Sequence, residues 1–257
     1  MKWSVIIDFR KSGVDGQCFD IGNPLTFRKL PAQPQKRICM NVLVIDIGGT
    51  NIKMLVTAQT EPRRFPSGPE MTPEHMVAEI KAQTKDWPYD LVSIGYPGIV
   101  KRNEIVSEPH NLAPGWIRFD FEAAFGKPVR KMNDAAMQAL GSYKEGTMLF
   151  LGLGTGLGSA IITENVVLPM ELAHLSYKQG TFEDYIGIRG LKRLGRRKWQ
   201  TNVEFAIERL TKAVQPDDIV LGGGNSKKLK PFPAGCRLGD NAFAFAGGFR
   251  MWPDVVK

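Results

Sequence analysis

The chain is poor in cysteine, in long apolar runs and in acid relative to base, and each scarcity excludes something. Its cysteines are three in 257 residues, Cys18, Cys39 and Cys236. They are odd in number and far apart, so neither a disulfide framework nor a zinc site is expected from them. No apolar run approaches the roughly 20 residues that span a bilayer. The opening Met1–Phe9 holds Val5-Ile6-Ile7 and is then cut by Asp8, too short for the apolar part of a secretory signal. Cytoplasmic residence without a membrane partner is therefore expected. The lysine-bearing G-x-x-x-x-G-K-[ST] loop is missing as well, so any phosphate site is of another class. Lys plus Arg number 34 against 26 Asp plus Glu, a formal charge of +8. Such an excess suits nucleic acid and a phosphate-rich small molecule equally.

Residues 1–40 hold seven basic and three acidic side chains, with Gly13, Gly16, Gly22, Pro24, Pro31 and Pro34 scattered among them. They read as a poorly ordered basic extension, with Met40 as an alternative natural start and a basic anchoring arm as the functional alternative. The two amphipathic helices of a DNA-reading pair are not discernible there. No aromatic-interleaved basic motif follows, so nucleic acid is not expected as a partner. Hydrophobic content of 43% and charged content of 23% describe an ordinary globular chain, long enough for one large or two small domains.

What is present centres on Val42-Leu43-Val44-Ile45-Asp46-Ile47-Gly48-Gly49-Thr50-Asn51-Ile52-Lys53. Four apolar, mostly β-branched residues predict a buried strand. An acid, a glycine pair and two small polar residues then precede a second strand, Ile52 to Val56. Glycine permits a tight turn and close approach of another group. Exposed N–H groups in such a turn make an anion-binding concavity, and Asp46 at the strand end suits a metal ion or its water. A plain Gly-Gly turn between two strands is the simpler alternative.

Thr72-Pro73-Glu74 predicts a helix start, with Val77, Ile80, Thr84 and Trp87 at helical spacing before Pro88. Leu91 to Gly95 predicts a short strand, and strand–helix alternation points to an α/β sheet. Pro109 to Trp116 is a turn-rich loop that offers Asn111, with Trp116 expected against the core. Asp120 to Phe125 predicts a short helix ending at Gly126. Val129 to Met132 predicts a strand ending in Asn133-Asp134, followed by a helix from Ala135 to Tyr143. Ligands of open α/β sheets bind beyond the carboxyl ends of strands. Helix capping accounts for one polar residue there, not for two.

Thr147 to Gly152, then Leu153-Gly154-Thr155-Gly156-Leu157-Gly158-Ser159, then Ala160 to Thr163 repeat the strand, glycine turn and strand of the first unit. Two such hairpins suggest duplicated lobes facing each other. Glu171-Leu172-Ala173-His174 puts a carboxylate and an imidazole on one face if helical. Arg189, Lys192, Arg193, Arg196, Arg197 and Lys198 form a basic cluster, either a solvated face or a phosphate-tracking surface. Thr201-Asn202-Val203-Glu204 reads as a capping box opening a helix with Val203, Ala206, Ile207, Leu210 and Val214 as its apolar stripe. Ile219 to Leu221 predicts a strand into Gly222-Gly223-Gly224, and Asp240 to Phe249 a terminal helix weakened by Gly247-Gly248.

In this order the motifs resemble the ROK family (repressor, open reading frame, kinase) of the hexokinase/actin-like superfamily, and within it the polyphosphate glucokinases. Asp46 to Lys53 matches the first phosphate motif, Asn133-Asp134-Ala135 the catalytic segment and Leu153 to Gly158 the second phosphate motif. Glu171-Leu172-Ala173-His174 matches the E-x-G-H sugar segment, with alanine where glycine is usual. Leu221-Gly222-Gly223-Gly224 matches the nucleotide-side glycines. The resemblance implies a two-lobed ribonuclease-H-like α/β fold with a central cleft, an N-terminal lobe over 41–133 and a C-terminal lobe over 134–257.

The same resemblance implies a hexose kinase using ATP or inorganic polyphosphate, with Mg2+ and, as is usual in the family, a homodimer. Phosphoryl transfer needs positioning, charge neutralisation and a base for the incoming hydroxyl. By resemblance Asp134 is that base. Asn111, Asn133, Glu171, His174 and Glu183 bind the hexose. Gly48, Gly49, Thr50, Asn51, Lys53, Thr155 and Gly156 cradle phosphate, Gly223 and Gly224 face the nucleotide, and Asp46 orients the metal. No cysteine lies between Cys39 and Cys236, so the family's zinc motif is not expected. A non-catalytic sugar-binding or regulatory protein of the same fold is the alternative.

Overall fold

Val42, Leu43, Val44 and Ile45 have no solvent exposure at all, and their strand is the axis of the first of two sheets. The computed structural model describes residues 40–253 together with 19–20 and 28–29. Phe19–Asp20 (β1) and Arg28–Lys29 (β2) pair as a short antiparallel ladder. The rest of the expected basic extension lies outside the described residues, as does its reading as poorly ordered.

The unit Cys39–Lys257 begins with β3 (Val42–Ile47), β4 (Asn51–Val56), β5 (Arg63–Pro66), α1 (Pro73–Gln83) and β6 (Leu91–Tyr96). A small hairpin, β7 (Val100–Lys101) and β8 (Glu104–Ile105), leads to α2 (Phe121–Phe125) and β9 (Val129–Asn133). The sheet runs β5-β4-β3-β6-β9. Its first three strands are an antiparallel meander, while β6 and β9 run parallel to β3. The helix signals act as predicted. The Thr72 side chain accepts the His75 N–H at 3.2 Å, and the Asp120 side chain accepts the Ala123 N–H at 2.9 Å. Trp116 is fully buried, as expected.

After α3 (Asp134–Ser142) the chain builds β10 (Thr147–Leu153), β11 (Leu157–Thr163) and β12 (Val166–Met170). A 3-10 turn over Leu172–His174, the short strands β13 (Ser176–Tyr177) and β14 (Gly180–Thr181), and α4 (Phe182–Ile186) lead into α5 (Ile188–Val214). Then come β15 (Asp218–Gly222), β16 (Cys236–Leu238) and α6 (Phe243–Arg250). The second sheet runs β12-β11-β10-β15-β16. It too has three antiparallel strands followed by two parallel ones. The two sheets share one plan, which the repeated strand–glycine–strand pattern anticipates.

Thr201-Asn202-Val203-Glu204 does not open a helix. α5 begins at Ile188 and runs through the basic cluster, broken only at Gly195 (φ 73, ψ 161). Arginine, lysine and leucine are good helix formers, so the cluster extends the helix rather than preceding it. Thr201 lies in the interior, and its hydroxyl donates back to the Arg197 carbonyl at 3.2 Å, the usual bond of an interior threonine. The predicted apolar stripe still packs Val203, Ala206, Ile207 and Leu210 against β10 and β15 residues such as Leu149 and Leu221.

Gly247 and Gly248 are no weakness. A methyl group at Gly247 would collide with the Met137 carbonyl, one at Gly141 with the Phe243 carbonyl, and one at Gly248 with Val44. α6 thus lies backbone to backbone on α3, and on β3 at its far end. The Ser93 hydroxyl donates to the Gly248 carbonyl at 2.7 Å, and the Trp252 indole N–H donates to Ser93 Oγ at 2.9 Å. These bonds tie α6 to β6, and through the close α6–α3 contact they hold α3, whose first residue is Asp134.

Candidate active site

The first glycine hairpin is β3, Gly48-Gly49-Thr50 and β4. Gly48 N–H donates to the Asn51 carbonyl at 3.1 Å, and a methyl at Gly48 would stand 2.9 Å from that oxygen. The Ser67 hydroxyl braces the turn by donating to the Gly48 carbonyl at 2.6 Å. Gly49 and Thr50 remain exposed at the tip. Asp46 sits opposite Lys53 across the ladder, with Lys53 Nζ 3.5 Å from its Oδ2. Burial raises the Asp46 pKa above the usual carboxylate range, and Lys53 works against that rise.

Asp46, Gly95 and Met132 are register partners on the adjacent parallel strands β3, β6 and β9. Asp134 comes two residues after Met132, as the first residue of α3. Gly95 leaves room for it: a methyl there would lie 3.6 Å from Asp134 Cα and collide with the Met137 side chain. Burial pushes the Asp134 carboxyl up to about 7, the Asp46 charge adds to the rise, and Glu171 adds a smaller share. The Ala135 N–H, 2.7 Å from Asp134 Oδ1, opposes it. The result is a carboxyl that changes charge near neutrality, held between two other acids. Such perturbed groups mark functional sites.

The second hairpin, β10 and β11 around Gly154-Thr155-Gly156, reaches the same helix start. A methyl at Gly158 would run into Ala135 Cβ, so the hairpin root lies on the residue after Asp134. Thr155 is exposed at the tip, and its carbonyl accepts the Ile188 N–H at 3.1 Å. Glu183 packs under the turn, its Oε2 2.7 Å from where a Gly156 methyl would stand. Its Oε1 accepts from Arg189 at 2.9 Å. The third glycine stretch joins this hairpin. Gly223 has φ 77, and a methyl there would meet the Leu153 backbone. Asn225 donates from its backbone to the Leu153 carbonyl at 2.9 Å and from Nδ2 to the Gly154 carbonyl at 2.8 Å. Asn225 is a brace the motif reading did not single out, although it follows the glycines directly.

Among the residues expected to hold a sugar, Asn111 lies against Gly49, with its Cβ 3.3 Å from a methyl placed there. Asn133 already has partners: its Oδ1 accepts the Ala136 N–H at 3.1 Å, and its Nδ2 donates to the Gly98 carbonyl at 3.1 Å. Glu171 and His174 do share a face, 3.7 Å apart and largely open to solvent. Glu183 belongs geometrically with the second hairpin rather than with Asn111.

Glu108 had no signal in the sequence, yet it shapes the Asn111 loop. Its carboxylate accepts the N–H groups of Gly115 and Trp116 at 3.1 Å each and of Ile117 at 3.3 Å. Glu108→Ala is expected to loosen residues 109–117, seen as faster amide exchange and proteolysis there, with a melting temperature lower by a few degrees.

Among the described residues no group of three or more His, Cys, Asp or Glu side chains converges as a metal cage. Mg2+ does not need one, being held by one or two carboxylates plus substrate phosphates and water. Asp46, a largely enclosed oxygen donor beside the first hairpin, fits that requirement. No helix among the described residues is long and apolar enough to cross a membrane.

Residues 42–169 match the ROK family model. The polyphosphate glucokinase of Mycobacterium tuberculosis (strain CDC 1551 / Oshkosh) is 27% identical over 152 residues, 53% of this chain and 57% of that protein. The polyphosphate glucokinase of Mycobacterium leprae (strain TN) is 25% identical over 205 residues, 73% of this chain and 60% of that protein. The chain thus spans less than two thirds of the length of these relatives. The inorganic polyphosphate/ATP-glucomannokinase from Arthrobacter sp. strain KM superposes with a TM-score of 0.69 at 25% identity, covering 81% of this chain and 96% of that one. A ROK family glucokinase from Streptomyces griseus, solved with glucose and AMPPNP, gives 0.66 at 18% identity, covering 82% and 98%. The paired sheets are accordingly the actin-like ATPase and hexokinase fold, and residues 42–169 of the chain form a ROK family domain.

Proposed function

We propose that the protein is a hexose kinase that moves a phosphoryl group from inorganic polyphosphate or ATP to the 6-hydroxyl of glucose or a related hexose. The observation that carries this reading is the Asp134 carboxyl, pushed up to about 7 and flanked by the roots of both glycine hairpins. A base with that affinity for protons takes one from a hydroxyl and returns it to water near neutral pH. Backbone N–H groups of Gly49, Thr50, Asn51, Thr155 and Gly156 hold the donor phosphates, with the Gly48 N–H spent on closing the turn, and Gly223 and Gly224 face a nucleotide when the donor is one. Lys53 lowers the charge beside them. Asp46 holds Mg2+, which neutralises donor charge when bound.

On the acceptor side Asn111, Asn133, Glu171 and His174 supply hydroxyl-binding groups, while Glu183 stays with the second hairpin and Arg189. The open positions of Glu171 and His174 support an acceptor that enters from solvent on that side. Asn133 contributes its remaining amide hydrogen, the other being spent on Gly98. The test is a matrix of ATP and polyphosphate against glucose, mannose, fructose and N-acetylated sugars. Phosphorylation of glucose or mannose by at least one donor is the expected result. Sugar binding without phosphorylated product in any cell of the matrix would overturn the reading.

A further inference from the structure

The first eleven residues of α5, 188–198, carry six basic side chains and no acid. Helix propensity admits these residues, but their charges work against folding. The N-terminal end of a helix bears positive partial charge and prefers acids. Like charges three and four apart on a helix, as Arg189 with Lys192 and Arg193, repel. The helix breaks within the run, at Gly195. Two of the cations are satisfied locally: Arg189 pairs with Glu183 at 2.9 Å and Asp184 at 3.3 Å, while Arg193 donates to the Asp184 carbonyl at 2.8 Å and lies over the Tyr185 ring. Lys192, Arg196, Arg197 and Lys198 are exposed and have no carboxylate within 4.0 Å among the described residues.

The position of this helix gives the charge a direction. Its first residue is bonded to Thr155, the tip of the second glycine hairpin, through the Ile188 N–H at 3.1 Å. Where the helix leaves that tip, Arg189 and Arg193 line a concavity of about 430 Å³ with Gln179, Gly180, Asp184 and Tyr185. A linear polyanion gripped at Thr155 and Gly156 therefore leaves the hairpin beside the start of this basic segment, past Glu183 and Asp184, whose charge Arg189 offsets. A nucleoside triphosphate ends in a base and ribose and has no further phosphates to lay there.

We propose that the exposed basic segment of α5 carrying Lys192, Arg196, Arg197 and Lys198 is a binding track for the distal phosphates of long-chain inorganic polyphosphate. The inference rests on the donor reading above and adds where the unreacted part of the donor lies. The acceptor and the transfer step are unchanged. The contacts are exposed charge pairs, so binding weakens steeply with salt through counterion release.

The test compares the wild-type chain with Lys192→Ala/Arg196→Ala/Arg197→Ala. Probes are long-chain polyphosphate, tripolyphosphate and ATP, each measured by calorimetric binding over a salt series and as a phosphoryl donor. The variant is expected to bind long-chain polyphosphate about tenfold or more weakly and with a flatter salt dependence. Its affinity for tripolyphosphate and ATP stays as in the wild type. Its melting temperature is unchanged or higher, because repulsion is removed.

Equal long-chain affinity and salt slope in the two proteins would sink the track, even if both proteins are active kinases. If neither donor yields product but long-chain binding is tight and lost in the variant, the track stands and the kinase reading falls. Displacement of polyphosphate by a single-stranded oligonucleotide of matched charge at equal concentration would overturn the assignment in favour of a nucleic-acid surface.

Discussion

Asp134→Asn is expected to lower kcat about a thousandfold while leaving hexose and donor binding close to wild type, which a kcat against KM comparison measures. Asparagine keeps the shape and a hydrogen-bonding oxygen for the Ala135 N–H, but it cannot accept the hydroxyl proton. In the wild type, kcat/KM should climb with pH through about 7, where the Asp134 carboxyl becomes an anion. Asp46→Asn removes the nearest negative charge and should move that inflection downward. The same shift sets a stability test of opposite sign. The folded chain holds this proton more tightly than the unfolded chain, whose aspartates titrate near 3.9. Below that pH the group costs nothing. As pH rises towards 7 the unfolded state loses the proton first and gains in relative stability, and above 7 the full cost remains. Asp134→Asn should therefore raise the melting temperature at pH 8, by an amount on the order of a few kcal/mol of stability, and leave it unchanged at pH 4. A variant that kept most of its turnover would remove the base assignment.

Much of this was legible because it was local. Asp46 lies near the end of the buried strand β3 and Asp134 directly after β9, and the strand ends bring them together once the sheet is parallel. Thr72 and Asp120 announce their helices by chemistry that acts within one turn. The misreadings came where the deciding partner is remote in sequence. Thr201 carries every mark of a helix cap except that the residues before it are helical too, and only the contact of Ile188 with Thr155 shows where α5 begins. Glu108 gathers three N–H groups seven to nine residues downstream, with no pattern to betray it. Asn133 was read as facing a ligand, but its cap on α3 and its bond to Gly98, 35 residues away, engage most of its capacity. Gly247-Gly248 was read by propensity, as a soft place in a helix. The reason for both glycines lies on α3 and β3, more than a hundred residues earlier.

Those glycines carry the largest stability effect expected outside the site. Gly247→Ala and Gly141→Ala each force a methyl group against a backbone carbonyl of the opposite helix. A crowded side chain can swing to another rotamer, whereas a helical carbonyl is fixed by its own hydrogen bond. The two helices must therefore separate along their whole contact. Overpacking commonly costs 1–3 kcal/mol and sometimes more, and a clash with backbone on both sides belongs at the upper end, about 3 kcal/mol or beyond. For a chain of this size that is roughly a 10 °C fall in melting temperature. Gly224→Ala is the control: a methyl there meets nothing within 4 Å and the backbone is not left-handed, so a change below about 0.5 kcal/mol is expected. The consequence reaches the chemistry, because Asp134 is the first residue of the displaced helix and a misplacement of about 1 Å can cost a hundredfold in rate. Both alanine variants should thus lose activity well below their own melting temperatures, with the pH inflection near 7 shifted as Asp134 moves relative to Asp46. Normal melting behaviour in either variant would mean that α3 and α6 do not touch backbone to backbone and that this contact does not position Asp134.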